Sequence, residues 1–164
     1  MKSSRLEAFT DGVMAIIITI MVLELRSPED PDWSALQKLF PVFLAYIVSF
    51  IYVGIYWNNH HHLFQVVEKV NGKILWGNLH LLFWLSLLPF ATGWLGHNHS
   101  SPAPVATYGF VLFMCATAWE ILSQQMMKFE GKDSKIVQIY RNDKKKMASI
   151  ILYFIGIGLS FVYI

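Results

Sequence analysis

Three adjacent histidines are the first residues in this sequence whose types could do chemistry. Neighbouring residues on a helix point about 100° apart, so His60, His61 and His62 cannot all bind one metal ion. A metal site would need one of them together with His80 and a carboxylate such as Glu68. The sequence has no His-x-x-x-His or Cys-x-x-Cys spacing, so the pattern predicts no metal site. Bis-histidine haem ligation is geometrically possible, but no other residue supports it.

A second polar group occupies residues 5–12, directly before the apolar stretch 13–25. It contains the charged residues Arg5, Glu7 and Asp11. Charges at the mouth of a membrane helix are costly to keep there, so they usually mark a functional site. The chemistry of this chain therefore depends on whether the apolar stretch spans a membrane.

Composition and hydropathy predict a membrane protein. Of the 164 residues, 55% are hydrophobic and 15% aromatic, which is more apolar than a soluble domain of this length normally is. A helix needs roughly 20 mainly apolar residues to cross a bilayer. Five windows qualify or come close, at about 9–25, 36–58, 74–95, 105–126 and 147–164. We predict an all-α, polytopic transmembrane bundle that forms a single domain over residues 1–164, and the uncapped last window predicts that a sixth helix is missing.

The distribution of basic residues predicts the orientation. Lysine and arginine are concentrated before the first window, between the second and third, and between the fourth and fifth. By the positive-inside rule the amino terminus is cytoplasmic, in a multi-pass protein of the cell membrane. The net charge of +2 then reflects membrane topology, and nucleic acid is not an expected partner.

Two short motifs carry a family resemblance. The first is an Arg-x-x-x-Phe-Ser/Thr-Asp-Gly pattern leading into an isoleucine-rich helix, and its members here are Arg5, Phe9, Thr10, Asp11 and Gly12. The second is the segment 57–64, Trp-Asn-Asn-His-His-His-Leu-Phe, at the end of the second window. Together they resemble the prokaryotic branch of the transmembrane protein 175 family of potassium channels. The chain has threonine where serine is more usual, and five windows where the family has six helices.

The resemblance implies a homotetramer in a lipid bilayer, with its ion path on the central axis and the first helix of each subunit lining it. It also implies potassium preference over sodium, passive conduction and no cofactor. The family lacks the carbonyl filter of ordinary potassium channels, and this sequence has no Thr-Val-Gly-Tyr-Gly loop. A ring of aliphatic side chains beside a threonine layer is the implied gate and selectivity element.

Helical periodicity identifies one face of the first helix independently. At about 100° per residue, this face contains Gly12, Ile16, Thr19, Ile20 and Leu23, whereas Asp11 is predicted to point into the bundle. In a tetramer the aliphatic members would form stacked rings that can gate by dewetting. Periodicity alone favours a helix-packing seam, in which the Thr19 hydroxyl bonds its own helix carbonyl. The family resemblance reverses that preference.

Glu24 follows this face at the outer end of the helix. A ring of carboxylates at a pore mouth would raise the local cation concentration. The alternative is an interfacial residue that pairs with Arg26. The sequence leaves both interpretations open.

Polar residues at the cytoplasmic ends of three helices are predicted to meet. Unpaired polar groups in a dry bundle cost a few kcal/mol each, so we expect one hydrogen-bonded network that fixes the base of the first helix. The resemblance assigns a similar structural role to the family's Arg, Phe, Asp and His positions. The expected members are Arg5, Phe9, Thr10, Asp11, Gly12, Trp57, Asn58, His61, His62, Asn78 and His80.

A potassium-preferring cation channel, not an enzyme, is therefore the predicted function. Two alternatives are a membrane metal- or haem-binding protein that uses the cytoplasmic histidines, and a proton-coupled carrier with Asp11 and histidines as a relay. The first lacks convergent ligands at fixed spacing. The second normally shows internal repeats and broken helices, and only Pro41 and Pro89 suggest kinks here.

Overall fold

The computed structural model describes residues 1–131, 134 and 158, and over these residues the chain is helical. Apart from an isolated bridge between Lys2 and Lys69, the described residues contain no β-structure. The all-α prediction is confirmed. The helices are α1 (Ser3–Leu23), α2 (Trp33–Lys38), α3 (Phe40–Gln65), α4 (Gly72–Ser86), α5 (Leu88–His97) and α6 (Pro102–Glu130).

Four segments of the described chain are long and apolar enough to cross a bilayer. They are α1, α3, the combined α4–α5 segment Gly72–His97, and α6. These four correspond to the first four predicted windows, and the fifth window, 147–164, lies outside the described residues apart from residue 158. Helix α1 begins at Ser3, six residues before the predicted window, so the motif 5–12 is helical.

Proline marks one break near the start of the predicted second window and another inside the predicted third window. Pro41 and Pro89 each lie in the first turn of a new helix, α3 and α5, just after a short break at Leu39 or Leu87. Proline lacks a backbone N–H and has a fixed φ, so it fits a helix start and disrupts an interior. The suggested kinks are thus helix boundaries.

Helix α1 packs along one side against α3, α4 and α5, while α4 packs on α6 and α3 on α5. The buried residues of α1 recur every three or four positions, as an amphipathic helix requires. They are Leu6, Thr10, Met14, Ile17 and Met21. Large side chains such as Leu85, Leu88 and Leu122 are fully buried and fill the centre of the described bundle.

Glycine allows α5 to approach its neighbours closely. A Cβ on Gly96 would lie 2.8 Å from the Cα atom of Val42 in α3, and one on Gly93 would lie 2.9 Å from a carboxylate oxygen of Glu24. The first contact is with backbone, which cannot rotate away. The α3–α5 interface therefore depends on the absence of a side chain at position 96.

Gly96→Ala is expected to lower the free energy of unfolding by about 1–3 kcal/mol, because the added methyl group overpacks this interface. The matched control is Gly54→Ala in α3, where a Cβ would meet nothing within 4 Å. Alanine favours a helix over glycine by up to about 1 kcal/mol, so the control should be neutral or stabilising. Thermal unfolding in detergent, followed by circular dichroism, measures both. Equal stability of the two variants would contradict the close packing.

Candidate functional site

The predicted face of α1 is the exposed side of that helix. Ile16 is 59% exposed, Ile20 45% and Leu23 70%, and Gly12 and Thr19 are exposed as well. Phe9 continues the same face towards the start of the helix. One side of α1 is thus packed within the chain, and the other is a nearly continuous apolar surface without a partner among the described residues.

The Thr19 hydroxyl donates a hydrogen bond to the carbonyl oxygen of Ala15, at 2.8 Å. A bond from a threonine hydroxyl to its own helix carbonyl is what we predicted for Thr19 if this face of α1 is a packing surface. It uses the hydroxyl proton and leaves the oxygen lone pairs on the exposed face. The same geometry is therefore compatible with an oxygen atom that faces a cation.

Glu24 lies beside α5. Its carboxylate packs over Gly93, and no ion pair joins it to Arg26 within the described chain. It borders an open cleft of about 400 Å³. The cleft is lined by Glu24, Phe90, Gly93, Trp94, His97 and Asn98.

A buried chain of hydrogen bonds fixes the base of α1. The amide nitrogen of Asn78 donates to the Thr10 hydroxyl oxygen at 2.8 Å, and His60 Nε2 lies 2.9 Å from the Asn78 amide oxygen. Because that oxygen can only accept, His60 Nε2 carries the proton. All three side chains are at most 1% exposed, and they join α1, α4 and α3. This arrangement satisfies polar groups that would otherwise be costly to bury.

Two further contacts connect α1 to α3 nearer the surface. The indole N–H of Trp57 donates to the Asp11 carboxylate at 2.9 Å. His61 Nδ1 lies 2.7 Å from the Glu7 carboxylate, while its Nε2 lies 2.7 Å from the amide nitrogen of Gln65. Since the amide nitrogen must donate, His61 donates through Nδ1 to Glu7. Asp11 itself is exposed and does not point into the bundle as predicted; the buried neighbour is Thr10.

Four polar residues of the predicted network do not join the hydrogen bonds that hold α1. Trp84 Nε1 donates to His80 Nε2 at 2.9 Å, which places His80 in a contact within α4. Arg5 and Asn58 are exposed, and neither side chain makes a hydrogen bond or ion pair within the described chain. His62 is exposed and contacts only the neighbouring histidine ring. These four residues are therefore separate from the buried chain that holds α1.

Three residues that take part in these contacts were not predicted: His60, Glu7 and Gln65. His60 carries a detectable signal, because Tyr56, His60 and Leu63 follow the three- and four-residue spacing of a buried helix face. Glu7 gives no signal in the sequence beyond its charge near the start of the helix. Among the described residues, no group of three His, Cys, Asp or Glu side chains could hold a metal ion.

The carboxyl-terminal part of α1 is held differently from its amino-terminal base. Met21 is fully buried, and the Thr92 hydroxyl lies 4.0 Å from the Met21 sulfur. Thr92 is itself bonded to Ser49 at 2.7 Å, and Ser49 to Tyr108 at 2.9 Å. The strong hydrogen bonds at this level thus join α3, α5 and α6, and α1 packs against them through apolar contacts.

These features define a multi-pass helical membrane protein. Its first helix is hydrogen-bonded to neighbouring helices near the amino-terminal end and exposes an apolar face along its length. Residues 5–89 match the sequence model of the family described as endosomal/lysosomal potassium channel TMEM175. The chain belongs to the TMEM175 family, whose members are ion channels and not enzymes. The resemblance found in the two motifs is confirmed.

Individual relatives extend this match. A potassium channel of Chryseobacterium sp. is 60% identical over 163 residues, which cover 99% of this chain and 85% of the relative. The crystal structure of a lysosomal potassium-selective channel TMEM175 homologue from Chamaesiphon minutus superposes with a TM-score of 0.84 at 27% identity, over 98% of this chain and 87% of that one. A zebrafish protein named endosomal/lysosomal proton channel TMEM175 is 35% identical over 103 residues, or 56% of this chain and 20% of the relative.

Proposed function

We propose that this chain forms a potassium-preferring cation channel of the cell membrane, assembled as a homotetramer with α1 around the central axis. The amino terminus is then cytoplasmic, and conduction is passive and needs no cofactor. The observation that carries the proposal is the free apolar face of α1, which lies opposite a side anchored in the chain's own core.

The packing of the single chain supports a path between copies. Met14, Met21 and Leu85 are fully buried and fill the space where a path through one described bundle would run. An ion needs a continuous route, so the route fits better at a surface shared by several subunits. The family resemblance makes α1 the first candidate for that surface, and its exposed face runs the length of the span.

The residues on this face suit a dewetting gate. In a tetramer, Ile16 and Ile20 form two aliphatic rings about 6 Å apart, and Leu23 adds a third near the outer end. Rings of this kind exclude water when narrow and conduct when they widen. Thr19 lies between them and offers four hydroxyl oxygens to a partly dehydrated ion. Glu24 at the outer end would place a negative charge beside the mouth of each subunit.

A liposome flux assay tests the function. Purified protein is reconstituted, shown to be tetrameric by crosslinking, and exposed to potassium, sodium and proton gradients in separate samples. We expect potassium flux to exceed sodium flux. The proton gradient is included because of the zebrafish relative's name, and flux driven only by that gradient would favour proton conduction. A folded tetramer with no potassium flux would contradict the proposal.

Thr19→Val is expected to reduce the preference for potassium over sodium by about fivefold, which corresponds to roughly 1 kcal/mol of lost differential stabilisation. Valine has nearly the same shape and removes only the hydroxyl oxygen. Thr19→Ser, which retains that oxygen, is the control and should keep most of the preference. Reversal potentials measured in planar bilayers give both values. Unchanged selectivity in Thr19→Val would assign Thr19 to packing alone.

A further inference from the structure

The residues before α1 pair with the connection between α3 and α4. Lys2 and Lys69 form an antiparallel bridge, and the Ser3 N–H donates to the Glu68 carbonyl oxygen at 3.1 Å. The Val70 N–H donates to the Met1 carbonyl oxygen at 3.0 Å. Directly opposed residues of an antiparallel pair have Cβ atoms about 5 Å apart on the same side. The backbone therefore holds two lysine side chains next to each other.

This arrangement is electrostatically unfavourable by itself. Like charges placed directly opposite each other destabilise the pair. Both lysines are exposed, and within residues 1–131 neither ammonium group has a carboxylate within 4 Å. Glu68 is adjacent to Lys69 in sequence and does not form an ion pair with it. Lys73, four residues after Lys69 and in the first turn of α4, is a further exposed cation with no ion pair in the described chain. The site thus has positive charge that the described chain does not neutralise.

The depth of the pair in the membrane indicates what can neutralise it. The charged residues Arg5, Glu7 and Asp11 lie in the first turns of α1, so the hydrocarbon begins beyond them and the start of the helix lies outside it. Lys2 immediately precedes the helix and so lies at the level of the lipid headgroups. Trp76, one turn after Lys73, is 74% exposed, as expected of an aromatic ring in the interfacial belt. The ligand that is abundant at this level and carries negative charge is phospholipid phosphate.

We propose that Lys2 and Lys69, assisted by Lys73, bind the phosphate of an anionic phospholipid headgroup. Basic residues near a membrane surface each strengthen binding to anionic lipid severalfold. The positive-inside rule accounts for basic residues in a cytoplasmic loop, but it requires no particular pairing between them. The backbone bridge between Lys2 and Lys69 places these two lysines side by side. The inference needs a membrane-spanning chain and does not depend on conduction.

The test is native mass spectrometry of the delipidated full chain, titrated with phosphatidylglycerol or with phosphatidylcholine. The original protein should bind phosphatidylglycerol more tightly than phosphatidylcholine. In the double variant Lys2→Gln/Lys69→Gln, phosphatidylglycerol binding should weaken by at least about fivefold at low salt, with phosphatidylcholine binding unchanged. The double variant Lys2→Arg/Lys69→Arg, which keeps both charges, should retain the preference.

The matched control is Lys38→Gln/Lys128→Gln, which removes the same charge from two exposed lysines elsewhere. It should leave phosphatidylglycerol binding close to that of the original protein. An equal loss in the control and in Lys2→Gln/Lys69→Gln would show a general effect of surface charge and overturn the site. No initial preference for phosphatidylglycerol, or no loss in Lys2→Gln/Lys69→Gln, would overturn it as well.

Discussion

Ile16→Asn should raise potassium flux through the reconstituted protein by about tenfold or more. If α1 surrounds the axis, the substitution introduces four amides into one aliphatic ring, and each amide can hold water. Loss of roughly 1.4 kcal/mol from a dewetting barrier is sufficient for a tenfold change. Ile20→Asn should act in the same direction. The increase should extend to sodium, because a hydrated constriction discriminates less between the two ions.

The control for this experiment is Ile55→Asn. Ile55 in α3 is 52% exposed, close to the 59% of Ile16, so both variants place an amide on an exposed apolar surface of the single chain. Only the α1 variant should change flux. Unchanged flux in Ile16→Asn, from a protein shown to be tetrameric, would remove this face from the pore. Increased flux in both variants would indicate a leak through disturbed packing.

Asn78→Leu should have the largest effect on stability, lowering the free energy of unfolding by about 2–4 kcal/mol. Leucine has a similar volume but cannot bond to Thr10 or His60, so the Thr10 hydroxyl and the His60 N–H both lose their partner in a dry environment. Each unsatisfied buried group costs about 1–3 kcal/mol, and hydrogen bonds between membrane helices fall at the low end of that range. Denaturation in mixed detergent, followed by circular dichroism, measures the change.

Asn58→Leu is the matched control, because the Asn58 side chain is exposed and makes no hydrogen bond within the described chain. Its effect should be within about 0.5 kcal/mol. The pair Thr10→Val and Asn78→Leu forms a double-mutant cycle. With Thr10 already changed, Asn78→Leu leaves one group unsatisfied rather than two, so the combined loss should be smaller than the sum. Additive losses would contradict the bond between the two side chains.

The sequence predicted the helices and the exposed face of α1 because both depend on local periodicity. Gly12, Ile16 and Leu23 are separated by four and seven residues, and any straight helix places them on one side. The start of α1 was placed too late because hydropathy declines over the charged residues 5–11, whereas the helix continues through them to Ser3. Local signals therefore identified the spans better than their ends.

The partners of the polar residues were harder to predict. The motif drew attention to Asp11 because it is charged, but a charge is costly to bury, and the buried position belongs to the neutral Thr10 one residue earlier. The bond from Thr10 to Asn78 joins residues 68 positions apart. It depends on how α1 and α4 cross, which periodicity within each helix does not specify. The pore, the selectivity layer and the tetramer remain predictions for the flux and crosslinking experiments.

The unequal attachment of α1 makes it a lever. Its fulcrum is at Thr10, where hydrogen bonds hold it to two other helices, while the far end at Met21 rests on apolar packing and a long sulfur contact. Leu23 is about 20 Å from the fulcrum and Ile16 about 9 Å. A tilt of about 5° therefore moves Leu23 by about 1.7 Å and Ile16 by less than half of that. If α1 surrounds a pore as proposed, such a rotation would widen that pore most at the carboxyl-terminal end of the helix.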